Sequence, residues 1–102
     1  MSTADTIADA ARGQLRLQVL QGLAASADYT AHEYVLRDLL DAAGIRVGAD
    51  AVRHALQWLG DAGLIRLDQC GDGWVATLRE AGADVAEGRA TRDGIPRPRP
   101  AR

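Results

Sequence analysis

Residues 49–78 constrain the fold more than any other part of the chain. Apolar residues recur at helical spacing over residues 49–61, and Gly63 follows at the position where such a helix would end. Two short runs of alternating apolar and polar residues come next, at 64–68 and 74–78, and the Gly-rich residues 70–73 separate them. This stretch therefore predicts a helix that leads directly into a β-hairpin.

The helix predicted over residues 49–61 has two distinct faces. Its buried stripe follows the i, i+3, i+4, i+7 pattern and consists of Val52, Ala55, Leu56 and Leu59. Its opposite face is polar and consists of Asp50, His54, Gln57 and Asp61. Arg53 lies on one flank of the polar face and Trp58 on the other. We expect Trp58 to pack under the hairpin, because large aromatic side chains are usually mostly buried.

Two further helices are predicted before this stretch. Apolar residues between positions 14 and 26 cover about half of a helical surface, while Gly13 leaves continuity with the preceding residues open. Thr30 and Glu33 match a capping box, which predicts a helix that starts at Ala31 and ends at Gly44. The core side of that helix is expected to be Val35, Leu36, Leu39, Leu40 and Ala43. Residues 45–47 then form an extended link or a third small strand.

The chain changes character after the hairpin, in whose loop Gly71 and Gly73 are expected to adopt positive φ angles. Thr77 and Glu80 match a second capping box, which predicts a fourth helix over residues 78–87. Alternating prolines then exclude a helix and favour an extended, mobile polyproline-type segment. The sequence therefore predicts a folded domain over residues 1–88 and an Arg/Pro-rich extended tail over residues 89–102.

The net charge of −2 hides an uneven distribution. Residues 1–87 hold 7 Arg against 13 Asp and Glu, a net charge of −6, whereas residues 88–102 hold 5 Arg against 1 Asp, a net charge of +4. An acidic body does not attract phosphate over long range, which argues against a strong non-specific DNA binder. The single cysteine excludes an internal disulfide, and no apolar run approaches the roughly 18 residues of a membrane span. These features predict a cytosolic protein without a membrane partner.

The residue types that carry catalysis or bind metals are scattered. His32 and His54 fall on different predicted helices, and neither has Cys or carboxylate neighbours at metal-ligand spacing. Cys70 lies in the predicted turn without a basic partner nearby in the sequence. The sequence therefore predicts no enzymatic activity, no cofactor, no metal site and no small-molecule substrate.

The order of predicted elements, α-α-α-β-β-α, is that of a winged helix-turn-helix, a mainly α fold with a small β-hairpin. Residues 56–65, LQWLGDAGLI, resemble the helix-to-hairpin junction of many winged-helix proteins, including the ArsR-like regulators. Residues 76–82, ATLREAG, resemble the segment that follows the wing in those families. The resemblance implies that the third helix can enter a DNA groove while the hairpin rests on the backbone.

The chain also resembles, over residues 12–100, a small family of proteins carried by Mu-like bacteriophages and prophages. The resemblance rests on LRDLLDAAG at residues 36–44, DAVRHALQWL at residues 50–59 and GIPRP at residues 94–98. It implies a phage protein in the cytoplasm of a bacterial host cell, and it supplies no molecular role beyond DNA binding.

Two functions agree with these patterns. In the first, a non-enzymatic regulator or accessory factor binds double-stranded DNA, with Arg53, His54 and Gln57 meeting base edges. Phosphate contacts would then come from Arg66 in the wing and from Arg97 and Arg99 in the tail. In the second, the third helix faces another phage protein during assembly or DNA packaging, which suits the acidic body. The exposed residues of the third helix and the tail also agree with simple solvation. A homodimer through the first or fourth helix remains open.

Overall fold

Four helices and a three-stranded antiparallel sheet form the described part of the chain, residues 2–100 of a computed structural model. The helices are α1 (Thr3–Ala24), α2 (Glu33–Ala42), α3 (Ala49–Asp61) and α4 (Glu80–Ala86). The strands are β1 (Thr30–His32), β2 (Ile65–Cys70) and β3 (Gly73–Leu78), and a short 3₁₀ turn, Ala27–Tyr29, precedes β1. This mainly helical arrangement is compatible with a winged-helix-like fold. The last two residues of the predicted tail, Ala101 and Arg102, lie outside the described range.

The first helix is continuous through Gly13 for 22 residues. Ser2 caps its start, where the hydroxyl accepts a hydrogen bond from the Asp5 N–H at 3.2 Å. Gly13 is buried because residues of the C-terminal segment pack directly on it: a Cβ at this position would lie 3.0 Å from the Gly94 carbonyl oxygen. The absence of a side chain thus allows close packing here rather than breaking the helix.

The sheet has the strand order β1-β3-β2, and its first strand was missed by the sequence-based prediction. Thr30 pairs with Thr77 across β1 and β3, and their hydroxyls lie 3.2 Å apart. The predicted start of α2 at Ala31 is therefore wrong, as is the extension of α4 back to Leu78. Both capping-box threonines lie in strands, because pairing with a neighbouring strand satisfies their backbone groups without a helix cap. Residues 45–47, the alternative third strand, form an irregular link to α3.

The hairpin turn is shorter than predicted. β2 and β3 pair from Ile65–Leu78 to Cys70–Gly73, which leaves only Gly71 and Asp72 in the turn. Gly71 has a φ of +63°, as predicted, whereas Gly73 does not adopt a positive φ. Gly63 ends α3 with a φ of +77°, as a left-handed helix stop requires.

The core lies between α1, α3 and the inner face of the sheet, and it confirms the predicted stripe of α3: Val52, Ala55, Leu56 and Leu59 are all buried. The predicted core side of α2 is only partly correct, since Leu36 and Leu40 are buried but Val35 and Leu39 are 50% and 44% exposed. Ala43 is exposed as well. The helix is rotated from its predicted orientation because its inward stripe includes the carboxylate of Glu33, which is 1% exposed.

The segment after Gly88 folds back onto the helices. Ile95 is 9% exposed and belongs to the same core as α1 and α3. A guanidinium N–H of Arg92 donates to the Ala62 carbonyl at 2.8 Å, and Arg16 donates to the Gly94 carbonyl at 3.0 Å. The predicted description of this segment as extended and mobile therefore does not hold for residues 92–95, which pack on the helices. None of the four helices is both long and apolar enough to span a membrane.

Candidate nucleic-acid interface

The polar face of α3 is open to solvent along its length. Burial of the opposite stripe fixes the orientation of this helix, so that Asp50, His54, Gln57 and Asp61 are all exposed. Of the predicted base-contacting residues, His54 and Gln57 are thus available to a ligand. Asp50 and Asp61 lie on the same face and oppose the approach of phosphate.

Arg53, the third predicted base contact, is held by α2 and by the β2–β3 hairpin, residues 65–78, which corresponds to the predicted wing and is called the wing below. Its guanidinium donates to Glu33 Oε1 at 3.2 Å and lies over the Trp74 ring, 4.2 Å from the ring centroid. The same Glu33 oxygen accepts the backbone N–H of Trp74 at 2.8 Å. One buried carboxylate therefore joins α2, α3 and the start of β3. Sequence reasoning assigned Glu33 to a helix cap and missed this role, because the partners lie 20 and 41 residues away.

Gly73 makes room for this junction. A Cβ at position 73 would lie 2.7 Å from Glu33 Oε1 and 2.7 Å from His32 Cε1, closer than real Cβ atoms approach. The glycine is required by the proximity of two side chains rather than by its φ angle. The sequence showed Gly73 only as the second glycine of the predicted turn, and it was therefore interpreted as a residue with a positive φ angle.

The tip of the wing is also fastened to the start of α2. His32 Nδ1 accepts the Tyr34 N–H at 3.2 Å and caps the helix, while Nε2 lies 3.3 Å from the Cys70 carbonyl oxygen. Because Nδ1 accepts, these two contacts fit the tautomer in which Nε2 carries the proton and donates to Cys70. A hydrogen bond to Asp72 raises the pKa of Tyr34. His32, the last residue of β1, therefore ties the tip of the wing to the start of α2, in addition to the pairing of the strands.

Arg66 lies apart from the exposed face of α3. Leu67 packs on Gly60 of α3, and successive residues of a strand point to opposite sides of the sheet, so Arg66 points away from the helix. Its Nε donates to Asp68 at 2.9 Å on the outer side of the sheet. The structure thus does not bring Arg66 together with His54 and Gln57.

A groove between α1 and α3 contains two arginines that the sequence-based prediction did not select. It has a volume of about 540 Å³, and its lining includes Arg12, Arg16, His54 and Gln57. Arg16 lies over the Trp58 ring, 4.1 Å from the centroid, and Arg12 pairs with Asp9. Burial lowers the pKa of Arg16, and the neighbouring Arg12 lowers it further. The spacing of Arg12 and Arg16, four residues apart on one helix, was the available signal.

Trp58 does not pack under the wing. Its ring is half-buried between Arg16 of α1 and Gly94, where a Cβ at position 94 would lie 2.8 Å from Trp58 Cζ2. The physical reason is that Trp58 lies on the α1 flank of α3, whereas Trp74 occupies the wing flank beside Arg53. The two tryptophans thus mark opposite edges of the exposed face.

Arg97 and Arg99 lie elsewhere on the surface. They line a shallow depression together with Gln21 of α1 and Gly88, and this depression shares no lining residue with the groove between α1 and α3. Among residues 2–100, no group of three or more His, Cys, Asp or Glu side chains is arranged to hold a metal ion. Cys70 is exposed and free.

Comparison with known proteins relates the chain to a phage protein. No protein-family model matches the chain, and no solved structure matches it. The chain is 41% identical over 85 residues to the uncharacterized protein gp26 of Escherichia phage Mu, a match that covers 83% of this chain and 88% of the relative. The chain belongs to the gp26 family. The predicted relation to proteins of Mu-like phages is therefore confirmed, while the name of gp26 states no activity.

Membership of the gp26 family gives the geometry a biological setting. The polar face of α3 thus belongs to a phage protein. An arginine stacked on a tryptophan borders this face on each side: Arg53 on Trp74 and Arg16 on Trp58. The ArsR-like relation remains a resemblance, since the gp26 relative carries no such description.

Proposed function

We propose that this gp26-family protein is a non-enzymatic winged-helix protein that binds double-stranded DNA, as a regulator or accessory factor of a Mu-like phage. The observation that carries the proposal is the open polar face of α3, with His54 and Gln57 exposed between two positions occupied by arginines. An α-helix fits the major groove, where imidazole and amide groups can bond base edges.

The flanking arginines supply the phosphate contacts in this proposal. Arg12 and Arg16 line the groove beside His54 and Gln57, so a backbone that follows the exposed face passes close to both. Arg66, which points to the other side of the sheet, has a lesser part than the sequence predicted. Arg53 acts mainly by positioning α3 against the wing through Glu33.

The charge distribution sets the expected strength of binding. A body with a net charge of −6 repels DNA at a distance, so binding depends on short-range contacts and on the basic residues 88–102. Neutralising about four phosphates gives a slope near −3.6 in a plot of log K against log salt. We therefore expect modest affinity that falls steeply as salt rises.

Fluorescence anisotropy of a labelled duplex, titrated with protein at low salt, tests this proposal. The double variant His54→Ala/Gln57→Ala should weaken binding at least tenfold, since a good base contact is worth about 1–3 kcal/mol. Arg12→Ala should lower the magnitude of the salt slope by about 1. The control is Arg79→Ala, which removes the same charge from an exposed position at the start of α4. Absence of binding by the unaltered chain at micromolar concentration would contradict the proposal.

Arg53→Ala does not make a clean test, because it strips the buried Glu33 carboxylate of its ion pair. Truncation after Gly88 is equally unsuitable, since it removes Ile95 from the core. The contribution of the C-terminal segment is better measured with Arg97→Gln/Arg99→Gln, which keeps the backbone and removes two charges. Loss of affinity without loss of thermal stability would assign phosphate contacts to these residues.

A second candidate function is docking of α3 onto another phage protein during assembly or DNA packaging. The observation that favours it is the floor of the groove between α1 and α3, which is apolar and consists of Leu15, Ala51, Ala55 and Trp58. Asp50 and Asp61 suit a protein surface better than a phosphate backbone. In this case the duplex titration is negative, while Ala51→Asp abolishes copurification with a phage protein and Ala81→Asp, on α4, does not.

A further inference from the structure

The outer surface of α1 and α2 is unusual in a chain of which 25% of the residues are charged. Opposite its buried residues, α1 with its C-cap Ala25 presents a stripe of six uncharged residues, of which Gln18 and Gly22 are half-buried beside α2: Ile7, Ala11, Gln14, Gln18, Gly22 and Ala25. At 3.6 residues per turn these positions fall within an arc of about 80°, and they extend along the helix for about 27 Å. The stripe is therefore about as long as the two smaller dimensions of the molecule, 28 and 27 Å.

Exposed apolar side chains of α2 continue this surface. Val35 and Leu39 lie on the outward side of α2, and Ala42 and Ala43 beside them are exposed. Leu39 forms a ridge between two grooves, and Gly22 of α1 lines both of them. The surface thus carries a projection and a depression side by side, as a self-complementary contact requires.

The first ten residues of α1 contribute no buried side chain to the core. Residues 3–12 form regular helix, yet none of them is buried, and Ile7 is 64% exposed. A short stretch of helix is marginal in water unless one of its faces packs against something. Residues 3–12 of α1 and the exposed apolar face of α2 are therefore both left uncovered within one chain.

We propose that a second copy of this chain covers this surface, with α1 packed antiparallel against α1 of the partner. A two-fold axis near position 16 places Ile7 opposite Ala25 and Gln14 opposite Gln18 of the other copy. In this register Ala11 of one copy lies over Leu39 of the other, and Ile7 lies over Val35. The extension of each α1 then buries the apolar face of the partner α2, and the Gln14 and Gln18 amides pair across the axis.

The chemistry of the surface favours this occupant over others. Absence of charge from the stripe excludes a phosphate backbone as the main ligand, because phosphate binding requires Lys or Arg. Lack of basic residues in the stripe also argues against an anionic membrane surface. Depletion of charge is in contrast typical of the buried centre of protein interfaces. The inference is independent of DNA binding, since it uses none of the exposed residues of α3.

Sedimentation equilibrium of the full chain over a wide concentration range tests association. We expect a dimer that dissociates on dilution, and a shift to monomer in Ile7→Asp and in Leu39→Asp. Both side chains are exposed in the single chain, so these variants should keep the helical circular dichroism of the original. Ala81→Asp adds the same charge at an exposed position of α4 and should leave the dimer intact. A constant monomer mass, or a dimer that Ile7→Asp and Leu39→Asp leave unchanged, would overturn the proposal.

Disulfide trapping tests the register. In a Cys70→Ser background, the double variant Ile7→Cys/Ala25→Cys should form a covalent dimer under mild oxidation. The two positions lie about 27 Å apart on one helix, too far for a bond within one chain, because bridged Cα atoms lie within about 7 Å. Each single variant should stay monomeric on a denaturing gel, since antiparallel pairing separates equivalent positions. Rapid cross-linking of either single variant would instead indicate parallel helices and refute the register.

Discussion

The Glu33 carboxylate accepts the backbone N–H of Trp74 at 2.8 Å, and this bond connects the start of α2 to the wing. The same carboxylate pairs with Arg53 of α3, so one buried side chain contacts both the wing and the exposed helix. A buried carboxylate persists only where its partners compensate for lost hydration. The junction therefore has consequences for stability that can be measured separately from DNA binding.

Replacement of Glu33 should destabilise the fold in proportion to the hydrogen bonds lost. Glu33→Ala leaves the Trp74 N–H and Arg53 without their acceptor, and we expect a loss of about 2–3 kcal/mol in the free energy of unfolding. Glu33→Gln keeps an oxygen for Trp74 but loses the charge that faces Arg53, and we expect about 1 kcal/mol. Urea denaturation followed by tryptophan fluorescence measures both. A Glu33→Ala variant as stable as the original would show that the junction is not stabilising.

Substitution of Gly73 should conflict with the same junction. A Cβ at this position meets Glu33 Oε1 and His32 Cε1 at 2.7 Å, so Gly73→Ala should cost about 1–3 kcal/mol, the usual cost of overpacking. Gly48→Ala is the matched control for crowding, because a Cβ at position 48 has no neighbour within 4 Å, and its only expected cost is that of replacing the glycine N-cap of α3.

A double-mutant cycle separates crowding against Glu33 from a backbone effect. The cost of Gly73→Ala should fall in a Glu33→Ala background, because the carboxylate that blocks the Cβ is then absent. Equal costs in both backgrounds would assign the effect to His32 or to the turn itself.

The parts of the fold that follow from local pattern were predicted from the sequence, and the parts that depend on distant pairing were not. The stripe of α3 and the stop at Gly63 were correct because periodicity and backbone conformation specify them locally. Thr30 and Thr77 satisfy a helix-capping pattern equally well, yet each pairs with the other across 47 residues. Nothing local distinguishes a threonine that caps a helix from one that pairs in a strand.

The candidate site shows the same division. Exposure of His54 and Gln57 followed from the periodicity of α3, whereas the engagement of Arg53 required a partner on another helix. The groove arginines Arg12 and Arg16 were visible in the sequence as a pair four residues apart, but only the crossing of α1 and α3 places them beside His54.

Gly82 closes the wing-following motif of residues 76–82, and the structure gives the reason for a glycine there. A Cβ at position 82 would overlap the Leu64 carbonyl oxygen, a backbone atom rather than the end of a flexible side chain. Gly82→Ala should therefore cost more than Gly73→Ala, about 3 kcal/mol or more, despite the higher helix propensity of alanine. Thermal unfolding of the two variants under identical conditions gives the comparison. A stabilised Gly82→Ala variant would mean that α4 can shift away from the start of β2.

The C-terminal segment should contribute to stability through Ile95 rather than through its arginines. Ile95 is 9% exposed within the main core, so Ile95→Ala should cost about 2–3 kcal/mol, toward the lower end for buried isoleucine because the site lies near the surface. Arg97→Gln/Arg99→Gln changes exposed side chains and should leave the free energy of unfolding within about 0.5 kcal/mol of the original value.

Urea denaturation of these variants, together with a chain truncated after Gly88, measures the difference. The truncated chain should lose at least as much stability as Ile95→Ala, because it also lacks the Arg92–Ala62 and Arg16–Gly94 hydrogen bonds. Full stability of the truncated chain would contradict the packing of this segment on α1 and α3.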